Sequence, residues 1–152
     1  MKFYSFFLLV LISGVIFAQK GDPVIESKSG KSFTETIEFI KSAAESKGWK
    51  VLIVHDLQAS LKKAGQEILP VSVIEVCKPA FSGPVLQKDN YRALSVMMPC
   101  RVSVYEKAGG EIFISRMDVS GLKNSSFGED AAGMLTKASD EIEEMLKKII
   151  VE

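Results

Sequence analysis

The sequence is poor in the side chains that carry most recognisable chemistry. Its 152 residues include two cysteines, one histidine and one tryptophan. There is no C-x-x-C, no H-x-x-x-H and no second histidine, so no local spacing for a zinc site is met. Lysine and arginine (19) balance aspartate and glutamate (19), and no basic block stands out. That balance removes the electrostatic footprint of a nucleic-acid binder or of an anionic-membrane binder. Repeats, long linkers and low-complexity tracts are absent, which leaves one domain. A single long apolar run occurs, Phe3 to Phe17, and it is too short and too near the start for a good membrane anchor.

That run has the form of an export signal. Lys2 supplies the positive start, the apolar stretch follows, and Ala18 is the small residue expected before cleavage at Gln19. Residues 1–18 are therefore read as a signal peptide and residues 19–152 as the mature domain. The expected compartment is extracytoplasmic, periplasmic or secreted, with no membrane attachment once the signal is removed. No cysteine lies near Ala18, so a lipid anchor at the new N-terminus is not indicated. Both cysteines remain in the mature chain, in a compartment that permits oxidation.

Periodicity places the elements. Val24 to Ser27 reads as a strand. Ser32-x-x-Glu35 forms a capping box ahead of Phe33, Ile37, Ile40 and Ala44, which recur at helical spacing until Gly48. Trp49 to Leu57 is a second strand, with Trp49, Val51, Ile53, His55 and Leu57 predicted on one face. A short helix is expected over 60–64, a strand over 71–77, and a helix from Pro79 that Gly83-Pro84 interrupts. Asp89-Asn90 marks a turn. Strands 100–107 and 111–119 form a hairpin around Ala108-Gly109-Gly110. Ala131, Met134, Leu135, Ala138, Ile142, Met145, Leu146 and Ile149 make one stripe of a long final helix, with Ser126-x-x-Glu129 as its capping box. Glu141, Glu143, Glu144, Lys147 and Lys148 line the opposite side. The predicted fold class is α+β: a mostly antiparallel sheet with helices packed on one face, in the order β-α-β-β-β-β-α. Apolar residues on both faces of the Trp49 strand point to a covered second sheet face.

The chain resembles the family catalogued as domain of unknown function 302, from about Ile25 to the C-terminus. The resemblance is carried by Phe33-Thr34-Glu35-Thr36, Lys47-Gly48-Trp49, the connection from Leu57 to Gly65, Val73 to Pro79, Met98-Pro99-Cys100-Arg101-Val102-Ser103-Val104-Tyr105-Glu106 and the closing helix. It implies a sheet-and-helix architecture like that of the TATA-binding protein, often dimeric, and no activity. DNA binding does not follow from the fold. Cys77 and Cys100 fall where much of the family has other residues, and Gly83-Pro84 also departs from its pattern.

Chemistry is concentrated around those cysteines. Antiparallel pairing of their strands puts both at one sheet end, within reach of a disulfide. A second reading makes the same end a soft-ligand site for a metal, haem iron or small ligand, with Met97, Met98 and His55 as further candidates. A third makes one cysteine a redox thiol activated by Lys78, Arg101 or the helix starting at Pro79. No catalytic residue is assigned, and a homodimer is the expected partner. Gly30-Lys31-Ser32 lacks the earlier glycine of a phosphate loop, since Ile25 stands there. Glu75 and Glu106 are read as strand carboxylates, not an acid pair. Asn124-Ser125-Ser126 is a glycosylation acceptor only in a host that glycosylates exported chains.

Overall fold

The computed structural model describes residues 22–124 and 128–151. The signal segment, its cleavage point at Ala18 and Gln19, and Ser126 lie outside the described residues.

Strand β1 (Val24–Ser29) leads into helix α1 (Phe33–Ser46). The capping box is present: Glu35 N donates to Ser32 Oγ, and Ser32 N donates to Glu35 Oε2 at 3.1 Å. Thr36, Ile40 and Ala44, spaced by four, are the buried stripe. The helix ends in a Schellman motif, with Gly48 N bonded to Glu45 O and Trp49 N to Ala44 O. Gly48 sits at φ 76°, a conformation that a side chain would strain.

Strand β2 (Lys50–Asp56) runs into helix α2 (Leu57–Lys63), whose cap is Asp56 Oδ1 accepting from Ala59 N at 2.8 Å. Strand β3 (Val71–Cys77) follows, then helix α3 (Pro79–Leu86) and a 3-10 helix over Asp89–Met97. Strands β4 (Cys100–Glu106) and β5 (Ile112–Met117) form the expected hairpin. A short 3-10 turn (Ser120–Asn124) precedes helix α4 (Glu129–Leu146), and a two-residue strand β6 (Ile150–Val151) closes the chain. The sheet order is β2-β3-β4-β5-β1-β6, with antiparallel neighbours throughout. The fold is thus α+β, as the sequence predicts.

Four local expectations are corrected. Gly83-Pro84 does not interrupt α3, which runs through to Leu86 with Pro79 in its first turn. The pairing of β2 with β3 shifts between Val51 and Ile53, so a bulge at Leu52 breaks the strict alternation. Val51 and Val54 consequently pack on the core, while Ile53 (46% exposed) and His55 turn to the other face. Gly128, at φ 82°, is the N-cap of α4, in place of the predicted Ser126. Strand β6 is an addition, since two residues carry no periodicity that a sequence could show. Gly30 is explained through β6: its N–H bonds Ile149 O at 2.8 Å, and a Cβ there would lie 2.8 Å from Val151 Cγ1.

Helices α1 and α4 cover one sheet face, burying Ile74, Val76, Val102, Val104 and Ile114 beneath Ile40, Ala44, Ile142 and Leu146. A second cluster joins Val85 of α3 and Leu94 of the 3-10 helix to Ala131 and Leu135 of α4. Glu141 and Glu143, expected toward water, are instead long-range anchors. Glu143 accepts from Arg116 Nε at 2.6 Å and Nη2 at 2.5 Å, and Arg116 Nη1 donates to Ser27 Oγ at 2.8 Å.

The opposite sheet face has no layer over it among the described residues. It carries stacked Tyr105 and Phe113, with ring centroids 6.2 Å apart. Lys107 Nζ lies 3.7 Å from the Phe113 ring and donates to Glu26 at 2.7 Å, and Tyr105 donates to the same carboxylate. Burial, and then that bond, push the Tyr105 hydroxyl up to about 12, so it stays a donor. No helix of the described residues is long and apolar enough to cross a membrane.

Candidate functional site: the cysteine end of the sheet

Three elements converge where β3 ends and β4 begins. Cys77 closes β3, Lys78 caps α3 without a side-chain bond, and Pro79 takes the first helical turn. One α-helical turn later Ser82 Oγ lies 3.6 Å from Cys77 Sγ and 3.5 Å from Lys78 O. With its proton directed at that carbonyl, the serine oxygen accepts the Cys77 S–H. Lys78 Nζ bonds both oxygens of Glu141, at 3.1 and 2.8 Å, and Trp49 Nε1 donates to Glu141 Oε2 at 2.9 Å. Burial raises the Glu141 carboxyl, but these two donors outweigh it and hold the group below its ordinary value. Phe81 packs on Trp49, with centroids 5.7 Å apart, beneath the Lys78 ammonium.

Cys100 opens β4 after a cis Met98–Pro99 bond and packs against the main core. Its register partner is Val76, while Cys77 faces Lys50 on β2. The cysteines are therefore at the same sheet end, as expected, but they are not opposed. Both are free thiols in the structure. Burial, and then the neighbouring Cys77, push the Cys100 thiol up to about 11. Neither predicted activating cation offsets this: Lys78 is held by Glu141, and Arg101 Nε bonds Glu75 at 3.2 Å on the open sheet face. A half-buried Cys100 that holds its proton more tightly than usual is the opposite of an activated redox thiol.

Two adjoining cavities share Cys100, Pro99 and Leu135 in their walls. The inner one, about 20 Å³, lies against Trp49, Cys77, Phe81, Ser82 and Met98. The outer one, about 140 Å³, lies among Met97, Arg101, Ser139 and Ile142, with Val96 (80% exposed) and Met117 (51% exposed) at its edge. A larger cavity of about 400 Å³ lies between α3, the 3-10 helix and the start of α4. Its wall carries Lys88, Lys137, Glu129 and Asp130 and no thiol or imidazole, so it brings together none of the sequence candidates.

The structure divides the soft-ligand candidates. Met98 joins Cys77 and Cys100 at the inner cavity, and Met97 joins Cys100 at the outer one. His55 belongs to neither. It pairs with Val73, two register steps beyond Glu75, and its Nε2 lies 3.3 Å from Glu75 Oε1 on the open face. Glu106 is near the far end of β4, opposite Ile112, so Glu75 and Glu106 form no acid pair. Among the described residues no three of His, Cys, Asp and Glu are grouped to hold a metal. Sequence reasoning missed Trp49, Phe81, Ser82 and Leu135 as wall residues. Only Ser82, one turn from Cys77, carried a local signal.

The raised Cys100 thiol has a stability consequence with a definite sign. Between about pH 9 and 11 the unfolded chain loses this proton while the folded chain keeps it. Stability from this source is complete below pH 9 and is lost as pH rises toward 11. The expected loss is about 2–3 kcal/mol over that window, since each tenfold difference in proton affinity between the two states is worth ~1.36 kcal/mol. Urea unfolding of the parent and Cys100→Ala at pH 8 and 10.5 checks it: the parent should lose stability more steeply. Equal slopes would remove the buried-thiol account.

An antiparallel sheet with two helices on one face, and a thiol-lined end, is the class that these features define. The family model described as domain of unknown function DUF302 matches residues 25–152. The chain belongs to that family. Its fold is similar to the crystal structure of an uncharacterized conserved DUF302 protein from Bacillus stearothermophilus, at 19% identity and a TM-score of 0.74. That likeness covers 84% of this chain and 98% of the Bacillus chain. No curated protein matches the chain.

Proposed function

We propose that this exported DUF302 domain is a non-catalytic binding module whose ligand enters the groove at the Cys100 end of the sheet. One observation carries the reading: two cavities meet at Cys100, and the outer one is edged by the exposed apolar side chains Val96 and Met117. Apolar side chains left in water beside a concave apolar wall are the usual form of a small-ligand site. About 140 Å³ suits a body of benzene-like size. Arg101 and Ser139 add two polar positions to the wall.

The test uses residues 19–152 and a small apolar probe such as indole or toluene, read by the thermal midpoint. Saturating probe should stabilise the parent by about 2.7 kcal/mol at a hundred times its Kd. Ser139→Phe fills the outer cavity and should weaken the probe at least tenfold. No saturable shift with the parent, or equal affinity in Ser139→Phe, would end this reading.

The open sheet face supports a second element of the proposal, a homodimer built across Ile53, Tyr105, Phe113 and Met117. Exposed Ile53 and Met117, toward the other end of that face from the stacked rings, leave it apolar as well as charged. Light scattering on the same sample decides it, and a monomer mass removes the dimer.

A further inference from the structure

The inner cavity has a composition of its own. It is too small for an organic ligand, at about 20 Å³, and is the size of one water or one bare ion. Cys77, Cys100 and Met98 all line it, and no carboxylate or imidazole does. We infer that this cavity is a site for a single soft monovalent cation, Cu(I) or Ag(I), held by the sulfur atoms of Cys77, Cys100 and Met98. This goes beyond the groove reading: it is a second site, in the adjoining cavity, and stands on its own observations.

The chemistry follows from the donor set. Thiolate and thioether select soft d10 ions, whereas zinc seeks four ligands and gains little from a thioether. Partly exposed Cys77, Lys78 and Ser82 give the ion a way in, and Trp49 and Phe81 form an aromatic wall. Loading is an exchange of protons for metal. Both thiols lose their protons to solvent, two metal–sulfur bonds form, the thioether adds a third, and the metal remains at +1 with no electron transferred. Two thiolates and one cation leave a single negative charge at a cavity whose wall includes Lys78, itself already paired with Glu141.

The other clusters carry less. The His55–Glu75–Arg101 group on the open face is a mutually paired set of charges. The cavity of about 400 Å³ is walled by side chains of both signs, with Lys88 already bonded to Asp130.

The experiment is an anaerobic titration of reduced residues 19–152 with Ag(I) alone, then with Cu(I) kept reduced by ascorbate, against a chromophoric chelator. One equivalent should bind, quench the Trp49 emission, and release two protons at pH 7. Cys77→Ser and Cys100→Ser should each weaken binding beyond the ~10–100-fold that loss of an outer-shell partner costs. Met98→Leu should weaken it about tenfold, and Zn(II) should not compete. X-ray absorption on the loaded parent, which needs no variant to fold, should show sulfur neighbours only. A nitrogen or oxygen shell, retention of one equivalent by both serine variants, or unchanged affinity in Met98→Leu would overturn the three-sulfur site. Indole or toluene still binding the parent in that event would leave the groove reading standing, and its failure alone would leave the metal site.

Discussion

Trp49→Ala is expected to destabilise the protein by about 3–5 kcal/mol, the range for removing a buried large aromatic side chain. The indole is 3% exposed and packs on Phe81, so its loss opens a hole between the start of β2 and α3. It also removes one of the two side chains that donate to Glu141, leaving Lys78 as the other. Trp49→Phe separates the two contributions. It keeps most of the packing and loses the hydrogen bond to a charged acceptor, at a cost of about 1.5–3 kcal/mol. The measurement is urea unfolding followed by far-UV circular dichroism, because the variants lack the tryptophan signal. The full chain's margin is on the order of 5–15 kcal/mol, so Trp49→Ala should move the midpoint visibly. A cost below about 1 kcal/mol for Trp49→Ala, far under the range for a buried aromatic, would sink the account of this residue as the wall that fixes the cysteine end.

Glu143→Leu should cost about 2–4 kcal/mol, because it strands a buried charge. Its partner Arg116 projects from β5 into the layer between sheet and helices, with its side chain 7% exposed. Removing the carboxylate leaves a buried guanidinium with Ser27 as its remaining side-chain acceptor. Breaking a fully buried pair costs roughly 3–5 kcal/mol, and the figure is lowered here because Glu143 is 29% exposed. The paired change Arg116→Met with Glu143→Leu is expected to recover most of that loss, since no charge is stranded. A double-mutant cycle over the four proteins gives the coupling directly. If Glu143→Leu and the double variant are equally unstable, lost packing on α4 is the cause and the ion pair is not.

These two residues also show what a linear reading reaches. The Ser32–Glu35 box, Ile40 and Ala44 of the buried stripe and the Gly48 stop lie close together in the chain and are legible, whereas Thr36, the third buried residue, is polar and escapes an apolar pattern. So are β3, the hairpin at Gly110 and the apolar stripe of α4, because periodicity of two or 3.6 is written in neighbouring side chains. Glu141 and Glu143 are misread for the same reason. On a helical projection they fall on the polar side, and Trp49, Lys78 and Arg116, which reach them, are distant in sequence. The β2 bulge is illegible because either face of that strand is apolar enough to point inward.

The candidate site divides in the same way. Two cysteines at neighbouring strand ends, flanked by Met97, Met98 and the Pro79 turn, can be found by eye. Their offset register, the exclusion of His55 to the open face and the two cavities joined at Cys100 cannot. By itself the sequence determined the α+β class, the limits of α1, the sheet hairpin and the soft character of one end, since each rests on contacts between near neighbours. Only the tertiary structure decided which sulfurs share a cavity and which charges are buried. Those outcomes depend on strand register and on packing between elements, where a shift of one residue reverses the face a side chain meets.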